Sequence, residues 1–220
     1  QVGARVGGKT LIDWTRKFGF GSQTGSEFSF SESRGFVPDN AYQRKMWKRD
    51  WTVGDSVNMS IGQGALLATP LQVTRMFAIP ANGGDLVKPH VLKTNEEKKK
   101  WRESVGMKPS TVKMLQKGLR EVITDGTAKL MNSPTLPPVA GKTGTAEAWR
   151  PNRVKANHAW FGAYAPADKP EVVILAFAEH SGGGGGAVAA PMVKEVMEDY
   201  FQRKYPGKYK KPEAKQKKAQ

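Results

Sequence analysis

Residues 140–147 read AGKTGTAE, and they begin a run of three apolar stretches separated by turn-forming residues. The stretches NHAWFGAYAP (157–166) and PEVVILAFAEH (170–180) follow, and the segment PADKP (166–170) is typical of a hairpin connection. Short apolar runs rich in β-branched and aromatic residues predict strands. The sequence therefore predicts an antiparallel meander, with the triplet Lys142-Thr143-Gly144 in its first strand.

The clearest predicted helix precedes the meander, in the stretch ATPLQVTRMFAIPANGG (68–84). Thr69 is a candidate cap, and Pro70 occupies the first turn, where its missing N–H leaves no bond unmade. Pro80 should bend this helix or end it early, because proline removes an intrahelical hydrogen bond. We expect the following residues to face the core: Leu71, Val73, Thr74, Phe77 and Ala78.

Three further helices are predicted around the meander. They cover 9–18, 110–124 with Ser110 as its cap, and 188–201 after the glycine block 182–186. The apolar residues at helical spacing in the last two helices are Val112, Leu115, Leu119, Val122, Ile123, Val188, Met192, Val193, Val196, Met197, Tyr200 and Phe201. Helices, then an antiparallel sheet covered by a helix, predict an α+β domain.

Composition and charge exclude several classes of protein. The chain has 35 Lys and Arg against 20 Asp and Glu, a net charge of +15, no Cys and three scattered His. Disulfides and thiolate chemistry are therefore excluded, and neither a metal site nor a cofactor is expected. The longest apolar run, 172–178, is too short to span a bilayer. Much of the positive charge lies in the runs 96–100 and 208–218, and we expect a domain over 1–206 and a basic, disordered tail over 207–220.

The Lys-Thr-Gly triplet suits a site that holds a peptide with a free carboxylate. Lys142, Thr143 and Thr145 would supply a cation and hydroxyl donors, and Lys142 would also polarise a catalytic hydroxyl. A unit charge about 4 Å away in a half-buried cleft contributes about 4 kcal/mol before desolvation. Gly144 would let substrate lie close to the strand. The backbone N–H of Thr145 would donate to a developing oxyanion, and losing such a donor typically costs about 3 to 4 kcal/mol.

Seven segments of the chain carry a family resemblance. They are GFGSQTG (19–25), SESRGFVP (31–38), GDSVNMSIGQGALLATPLQVTRMFAIPANGG (54–84), GLREVITDGTA (118–128), VAGKTGTAE (139–147), HAWFGAYAP (158–166) and EHSGGGGGAVAAPMVKEVMEDYF (179–201). In this order they resemble class B penicillin-binding proteins, most closely the elongation-type members, and the similarity extends from Gln1 to about Tyr205. Lys-Thr-Gly is also the third active-site element of serine acyltransferases of the penicillin-binding and β-lactamase type.

The resemblance implies the C-terminal part of a penicillin-binding/serine β-lactamase-like transpeptidase fold. The implied activity is a D,D-transpeptidase that cross-links peptidoglycan stem peptides through a serine acyl-enzyme and is trapped by β-lactams. The implied parent is anchored in the bacterial inner membrane with its catalytic domain in the periplasm. Its implied partners are an elongation-complex glycosyltransferase and scaffold proteins.

The serine nucleophile of such an enzyme is not evident in this chain. In the family, the Ser-x-x-Lys helix and the Ser-x-Asn loop precede the segment that QVGARVG begins, so we expect the N-terminal half of the domain, and the nucleophile, outside these residues. Ser110-Thr111-Val112-Lys113 and Ser56-Val57-Asn58 match the two patterns by spacing. We interpret both as chance matches in structural segments, and we expect the chain alone to be inactive.

Two alternatives come from other classes of protein. A non-catalytic β-lactam or peptidoglycan-sensing module would share the fold and the triplet, and its parent would carry a cytoplasmic signalling region. A basic nucleic-acid-binding protein would lose its salt-dependent DNA affinity when 207–220 are removed. No nucleic-acid-binding motif accompanies the charge, so we expect no nucleic-acid partner.

The remaining polar candidates have structural explanations. His158 begins a predicted strand and His180 ends one, which favours packing or edge roles for both. The glycine block 182–186 lacks the fingerprint of a phosphate-binding loop and is interpreted as a mobile rim beside the cleft. Residues 150–153 follow the triplet strand and are expected to overhang the cleft.

Overall fold

The computed structural model of this protein describes residues 1–93, 101–148 and 156–209. Within these ranges the predicted α+β architecture is confirmed, with helices on both faces of a three-stranded sheet. The helices and strands are α1 (Val2–Val6), α2 (Gly8–Lys17), α3 (Asn40–Trp47), α4 (Val53–Ser60), α5 (Pro70–Asn82), β1 (Asp85–Val87), β2 (Arg102–Ser104), α6 (Pro109–Thr124), β3 (Ala140–Ala146), β4 (His158–Ala165), β5 (Val172–Ala178) and α7 (Ala189–Lys204).

The predicted meander is the central sheet, in the order β3-β4-β5 with both pairs antiparallel. The register places Lys142 opposite Gly162 and Thr145 opposite Ala159. On one face, Phe161 of β4 packs with Phe201 of α7, and both side chains are fully buried. On the other face, α5 approaches so closely that a Cβ on Gly162 would meet the Phe77 ring at 2.2 Å. Glycine at this position lets a helix pack directly on the sheet.

Helix α5 begins as predicted and ends later than predicted. The Thr69 side chain accepts a hydrogen bond from the Gln72 backbone, and the Gln72 side chain accepts one from the Thr69 backbone, which completes a capping box. The helix continues through Pro80 to Asn82 and closes on Gly83 in the left-handed conformation. Pro80 lies in the last turn and is buried, so it removes few intrahelical bonds while it adds apolar contact.

The prediction of Ser110 as the cap of α6 was wrong. The helix begins one residue earlier, at Pro109, and Lys108 occupies the cap position without a side-chain hydrogen bond. Proline is favoured in the first turn because it has no N–H to leave unsatisfied, and this preference decides the start. Ser110 is therefore an exposed residue of the first turn.

The predicted apolar stripes were too wide. Phe77, Val112, Ile123, Val193, Met197 and Phe201 are buried as predicted. Four other stripe residues are exposed by more than a third: Leu71, Leu115, Met192 and Val196.

A second, smaller core lies under the N-terminal helices, which the sequence patterns mostly did not predict. Its buried side chains are Ile12, Phe20, Val37 and Met59. Outside it, large apolar side chains of α1, α3, α4 and the turn after α4 are more than 60% exposed, and we call them the α1/α4 apolar face: Val2, Trp47, Val53 and Ile61. Among the described helices, none has both the length and the hydropathy that crossing a bilayer requires.

Candidate active site

The triplet lies on β3, which has β4 on one side and no further strand among the described residues on the other. Lys142 is exposed, and its Nζ donates to the carbonyl oxygen of Thr143 at 2.8 Å. The amine thus lies along the outer edge of the strand. It remains accessible to an incoming anion, because the rest of the Lys142 side chain is not covered.

The outer edge of β3 presents backbone groups as well. The Thr145 carbonyl accepts from Gln63 Nε2 at 3.4 Å, and the Thr143 carbonyl accepts from Lys142 Nζ. In an antiparallel strand the N–H and C=O of one residue point to the same side. The N–H groups of Thr143 and Thr145 therefore point outward too, away from β4.

The hydroxyl of Thr143 has a partner that the sequence analysis did not single out. Thr127 Oγ1 and Thr143 Oγ1 are 2.7 Å apart. Thr127 follows α6 in the segment 118–128, and α6 packs on β3, which brings the two threonines together. The only sequence signal for Thr127 was its place in that family-like segment.

The glycine block packs partly against β3 instead of forming a free rim along its whole length. The Gly185 N–H donates to Thr145 Oγ1 at 3.3 Å, and Gly185 is buried. A Cβ on Gly185 would lie 2.1 Å from the Trp160 carbonyl oxygen and 2.6 Å from that of Gly144. Close backbone approach is therefore the physical reason for glycine at 185. Gly182, at the start of the block, has φ +75° and no neighbour that would meet a Cβ.

Gly144 has a structural role beside the one expected for substrate. A Cβ there would lie 3.2 Å from the Trp160 Cβ, directly across the β3-β4 pair. Trp160 in turn packs on Phe177 of β5, with ring centroids 4.1 Å apart. A larger residue at 144 would therefore push on this aromatic pair.

The two strings that match the serine motifs by spacing lie on α4 and α6. Ser56 is buried in α4, and its Oγ accepts a hydrogen bond from Trp51 Nε1 at 2.8 Å. Ser110 and Lys113 are both exposed on α6, with no described lysine-serine hydrogen bond between them. Residues 150–153, expected to overhang the cleft, lie outside the described residues.

The three-residue cluster His158, Glu179 and His180 lies where β4 begins and β5 has just ended. Their ligand atoms are within 4.8 Å of one another, a proximity that the sequence spacing did not predict. The His180 backbone N–H donates to His158 Nδ1 at 2.9 Å, and the two rings are 4.5 Å apart. The bond occupies the lone pair of His158 Nδ1, which fits the predicted packing role.

Comparisons with known proteins place these features in a family. Residues 1–198 match the penicillin binding protein transpeptidase domain. The peptidoglycan D,D-transpeptidase MrdA of Haemophilus influenzae is 33% identical over 94% of this chain and 35% of its own length.

Two solved structures share the fold. One is the complex between penicillin-binding protein PBP2 and MreC from Helicobacter pylori, with a TM-score of 0.77, 32% identity and coverage of 93% of this chain and 37% of that chain. The other, from a peptidoglycan synthase complex that coordinates polymerization and crosslinking, has a TM-score of 0.70, 36% identity and coverage of 84% and 31%.

The chain spans about a third of the length of the curated relatives it matches. The match nevertheless covers most of this chain, and it includes the Lys-Thr-Gly strand and the helices on both faces of the sheet. The chain therefore belongs to the penicillin binding protein transpeptidase domain family.

Proposed function

We propose that this chain forms one wall of the active site of a serine-type peptidoglycan D,D-transpeptidase. The observation that carries the proposal is the outer edge of β3. There the Lys142 amine lies beside outward-pointing backbone groups of Thr143 and Thr145. A cation beside outward-pointing N–H donors is what a site needs to hold a carboxylate and to stabilise an oxyanion.

In this proposal the serine nucleophile comes from a part of the domain outside these 220 residues. Its Oγ attacks the carbonyl of the penultimate D-Ala of a stem peptide, and the N–H of Thr145 donates to the oxyanion that forms. The bond to the terminal D-Ala then breaks, and the proton lost by the serine passes to the departing amine. An amine of a neighbouring stem peptide attacks the acyl-enzyme and restores the serine.

Within that sequence of steps, Lys142 and the two threonines have separate roles. The charge of Lys142 polarises the serine hydroxyl and attracts the terminal carboxylate of the peptide. The hydroxyls of Thr143 and Thr145 position that carboxylate. Thr127 orients the Thr143 hydroxyl at a distance of 2.7 Å, and the Gly185 N–H donates to the Thr145 hydroxyl at 3.3 Å. β-Lactams would occupy the same place as the D-Ala-D-Ala end.

The α1/α4 apolar face supports the location of the nucleophile in another segment. Val2 is 76% exposed and Ile61 69% exposed, although both belong to a region with a packed core on its other side. Because α1 and α4 pack on each other, their exposed apolar side chains are concentrated in one region of the surface. Such a concentration favours coverage by a further part of the protein. We propose that the half of the domain that bears the serine covers this face.

The relatives suggest partners and location for the whole protein. A relative from Helicobacter pylori was solved in complex with MreC, and another lies in a peptidoglycan synthase complex. We propose the same kinds of partner here, a scaffold protein and a glycosyltransferase of the elongation machinery. An inner-membrane anchor with a periplasmic catalytic domain belongs to the same proposal.

Intact-mass measurement after incubation with benzylpenicillin tests the proposal. We compare the 220-residue chain with a longer version that carries the upstream half of the domain. The longer version should gain the mass of one penicillin, and the chain alone should gain none. Lys142→Ala should slow acylation of the longer version by about 10²-fold or more, whereas Lys113→Ala should leave the rate unchanged.

Three results would contradict parts of this proposal. An adduct on the chain alone that disappears in Ser110→Ala would make Ser110 the nucleophile. No adduct on the longer version would exclude serine acyl transfer altogether. Acylation without any turnover of a stem-peptide substrate would instead favour the non-catalytic sensing module.

A further inference from the structure

A basic cavity of about 670 Å³ lies between the end of α2, helix α5 and the β1-β2 hairpin. We call it the Arg75 cavity. Its described walls come from α2, the segment 19–25, α5, β1 with Lys88, and residues 101–106, and they include no residue of β3. A cavity of this volume is large enough for a small organic ligand.

Arg75 is the most unusual residue of the wall. Its side chain projects from α5, and the residue is only 8% exposed. Nε donates to the Val87 carbonyl oxygen at 2.6 Å, whereas Nη1 is buried and has no hydrogen-bond partner among the described residues. Burial lowers the pKa of this guanidinium, although the negative charges of Glu32 and Glu103 partly offset that effect. A buried, charged donor without an acceptor is costly and requires an explanation.

Trp101 contributes a second unsatisfied donor to the same wall. Its Nε1 is buried and has no partner in the described parts of the chain. The indole ring is held in place by Lys88, whose Nζ lies 5.2 Å from the ring centroid, and by the His90 ring at 4.5 Å.

The charge of the wall favours an anion with more than one negative charge. Among the described residues, five cationic side chains and the carboxylate of Glu103 line the cavity, a net charge of +4; the five are Arg16, Lys17, Arg75, Lys88 and Arg102. Arg16 is paired with Asp39 at 2.7 Å. The nearby carboxylate Glu32 already accepts bonds from Thr24 and Ser26 at 2.6 Å. The positive charge that remains is still greater than the single negative charge of one ligand carboxylate.

We propose that the Arg75 cavity binds a phosphate-bearing anion, and that the Arg75 guanidinium and the Trp101 indole turn their unpaired N–H groups toward its oxygens when it binds. A phosphate group has several acceptor oxygens and up to two charges, which matches two unsatisfied donors in a strongly positive wall. A phosphate alone fills only part of the volume, so the group would be the head of a larger molecule. That molecule is either a soluble phosphate compound or the headgroup of an anionic lipid.

Calorimetric titration of the full 220-residue chain with inorganic pyrophosphate tests this inference. We expect saturable binding that weakens with salt, and a loss of about tenfold or more in affinity for Arg75→Gln. Trp101→Phe keeps an aromatic ring, although a smaller one, and removes the donor, so it should also weaken binding. Lys45→Gln, which removes an exposed cation of α3 outside the cavity, is the matched control and should bind as the unmodified chain does.

A second experiment distinguishes a soluble phosphate compound from a lipid headgroup. In this arm the chain is sedimented with vesicles of phosphatidylglycerol. Arg75-dependent sedimentation that pyrophosphate abolishes would identify a lipid headgroup, and pyrophosphate binding without sedimentation would identify a soluble ligand. No saturable binding in either arm, or equal binding by Arg75→Gln and the unmodified chain, would overturn the proposal. Should Arg75→Gln fail to fold by circular dichroism, Trp101→Phe and Lys88→Gln decide the question. None of these readouts depends on acylation by penicillin.

Discussion

The backbone N–H of Gly185 donates a hydrogen bond to the hydroxyl of Thr145 at 3.3 Å, across 40 residues of sequence. This bond ties the glycine block to the strand that carries the Lys-Thr-Gly triplet. Because Gly185 lies against the backbone of β3 and β4, its lack of a side chain is what permits the contact. The position of Thr145 therefore depends on a residue outside the triplet.

Gly185→Ala should destabilise the protein by about 1 to 3 kcal/mol, the usual range for overpacking. The new Cβ would lie 2.1 Å from the Trp160 carbonyl oxygen, so backbone must move. Gly118→Ala is the matched control. A Cβ at 118 meets nothing within 4 Å, and alanine should stabilise α6 by about 0.5 to 1 kcal/mol. Urea unfolding measures both changes, and an unchanged free energy of unfolding for Gly185→Ala would contradict the close approach.

Thr127→Val should slow acylation of the longer version while it changes stability little. The substitution keeps the shape of the side chain and removes the hydroxyl 2.7 Å from that of Thr143. We expect the rate of adduct formation with benzylpenicillin to fall by about three- to tenfold, the effect of one neutral hydrogen bond. Thr111→Val, at an exposed position of α6, should have no effect. Equal rates for the two variants would show that Thr127 does not orient Thr143.

Thr69→Ala should cost about 1 kcal/mol of stability, because it removes one half of the capping box of α5. Ser110→Ala is the comparison at the start of α6, where the serine makes no capping bond. It should change the free energy of unfolding by less than about 0.5 kcal/mol. A larger loss for Ser110→Ala than for Thr69→Ala would restore Ser110 as the cap.

Asp55→Asn should reduce the stability of the protein at neutral pH. The variant should also lose less stability than the unmodified protein as the pH falls. The hydrogen bonds from Arg49, the nearer at 2.6 Å, and those from Thr52 hold the pKa of the Asp55 carboxyl well below its usual range. A carboxyl whose pKa is lower in the folded state stabilises the protein above the unfolded pKa of about 4, and the contribution is lost as the pH falls through the folded pKa.

The measurement for Asp55 is the Tm of both proteins between about pH 2 and 7. The difference between them should shrink below about pH 4. Asp13→Asn removes an exposed pair with Lys9 on α2, which contributes little in water, and is the control. A difference in Tm that stays constant with pH would contradict the role of the ionised Asp55.

The sequence by itself determined the features that depend on neighbours along the chain. Short apolar runs rich in β-branched and aromatic residues and the PADKP turn predicted the meander β3-β4-β5, and Thr69 with Pro70 predicted the start of α5. These signals are local, because apolar runs, capping and turn formation involve residues only a few positions apart. The family followed from the order of short motifs, which is also a property of the sequence alone.

Only the tertiary structure decided what each surface contacts. In the structure Leu115 is exposed and Arg75 is buried, although the periodicity of their helices indicated neither. The tertiary structure joined Thr127 to Thr143 and Gly185 to Thr145, whose separations in the chain are 16 and 40 residues. Burial and long-range hydrogen bonds depend on which elements pack together and how closely, and no local pattern contains that information.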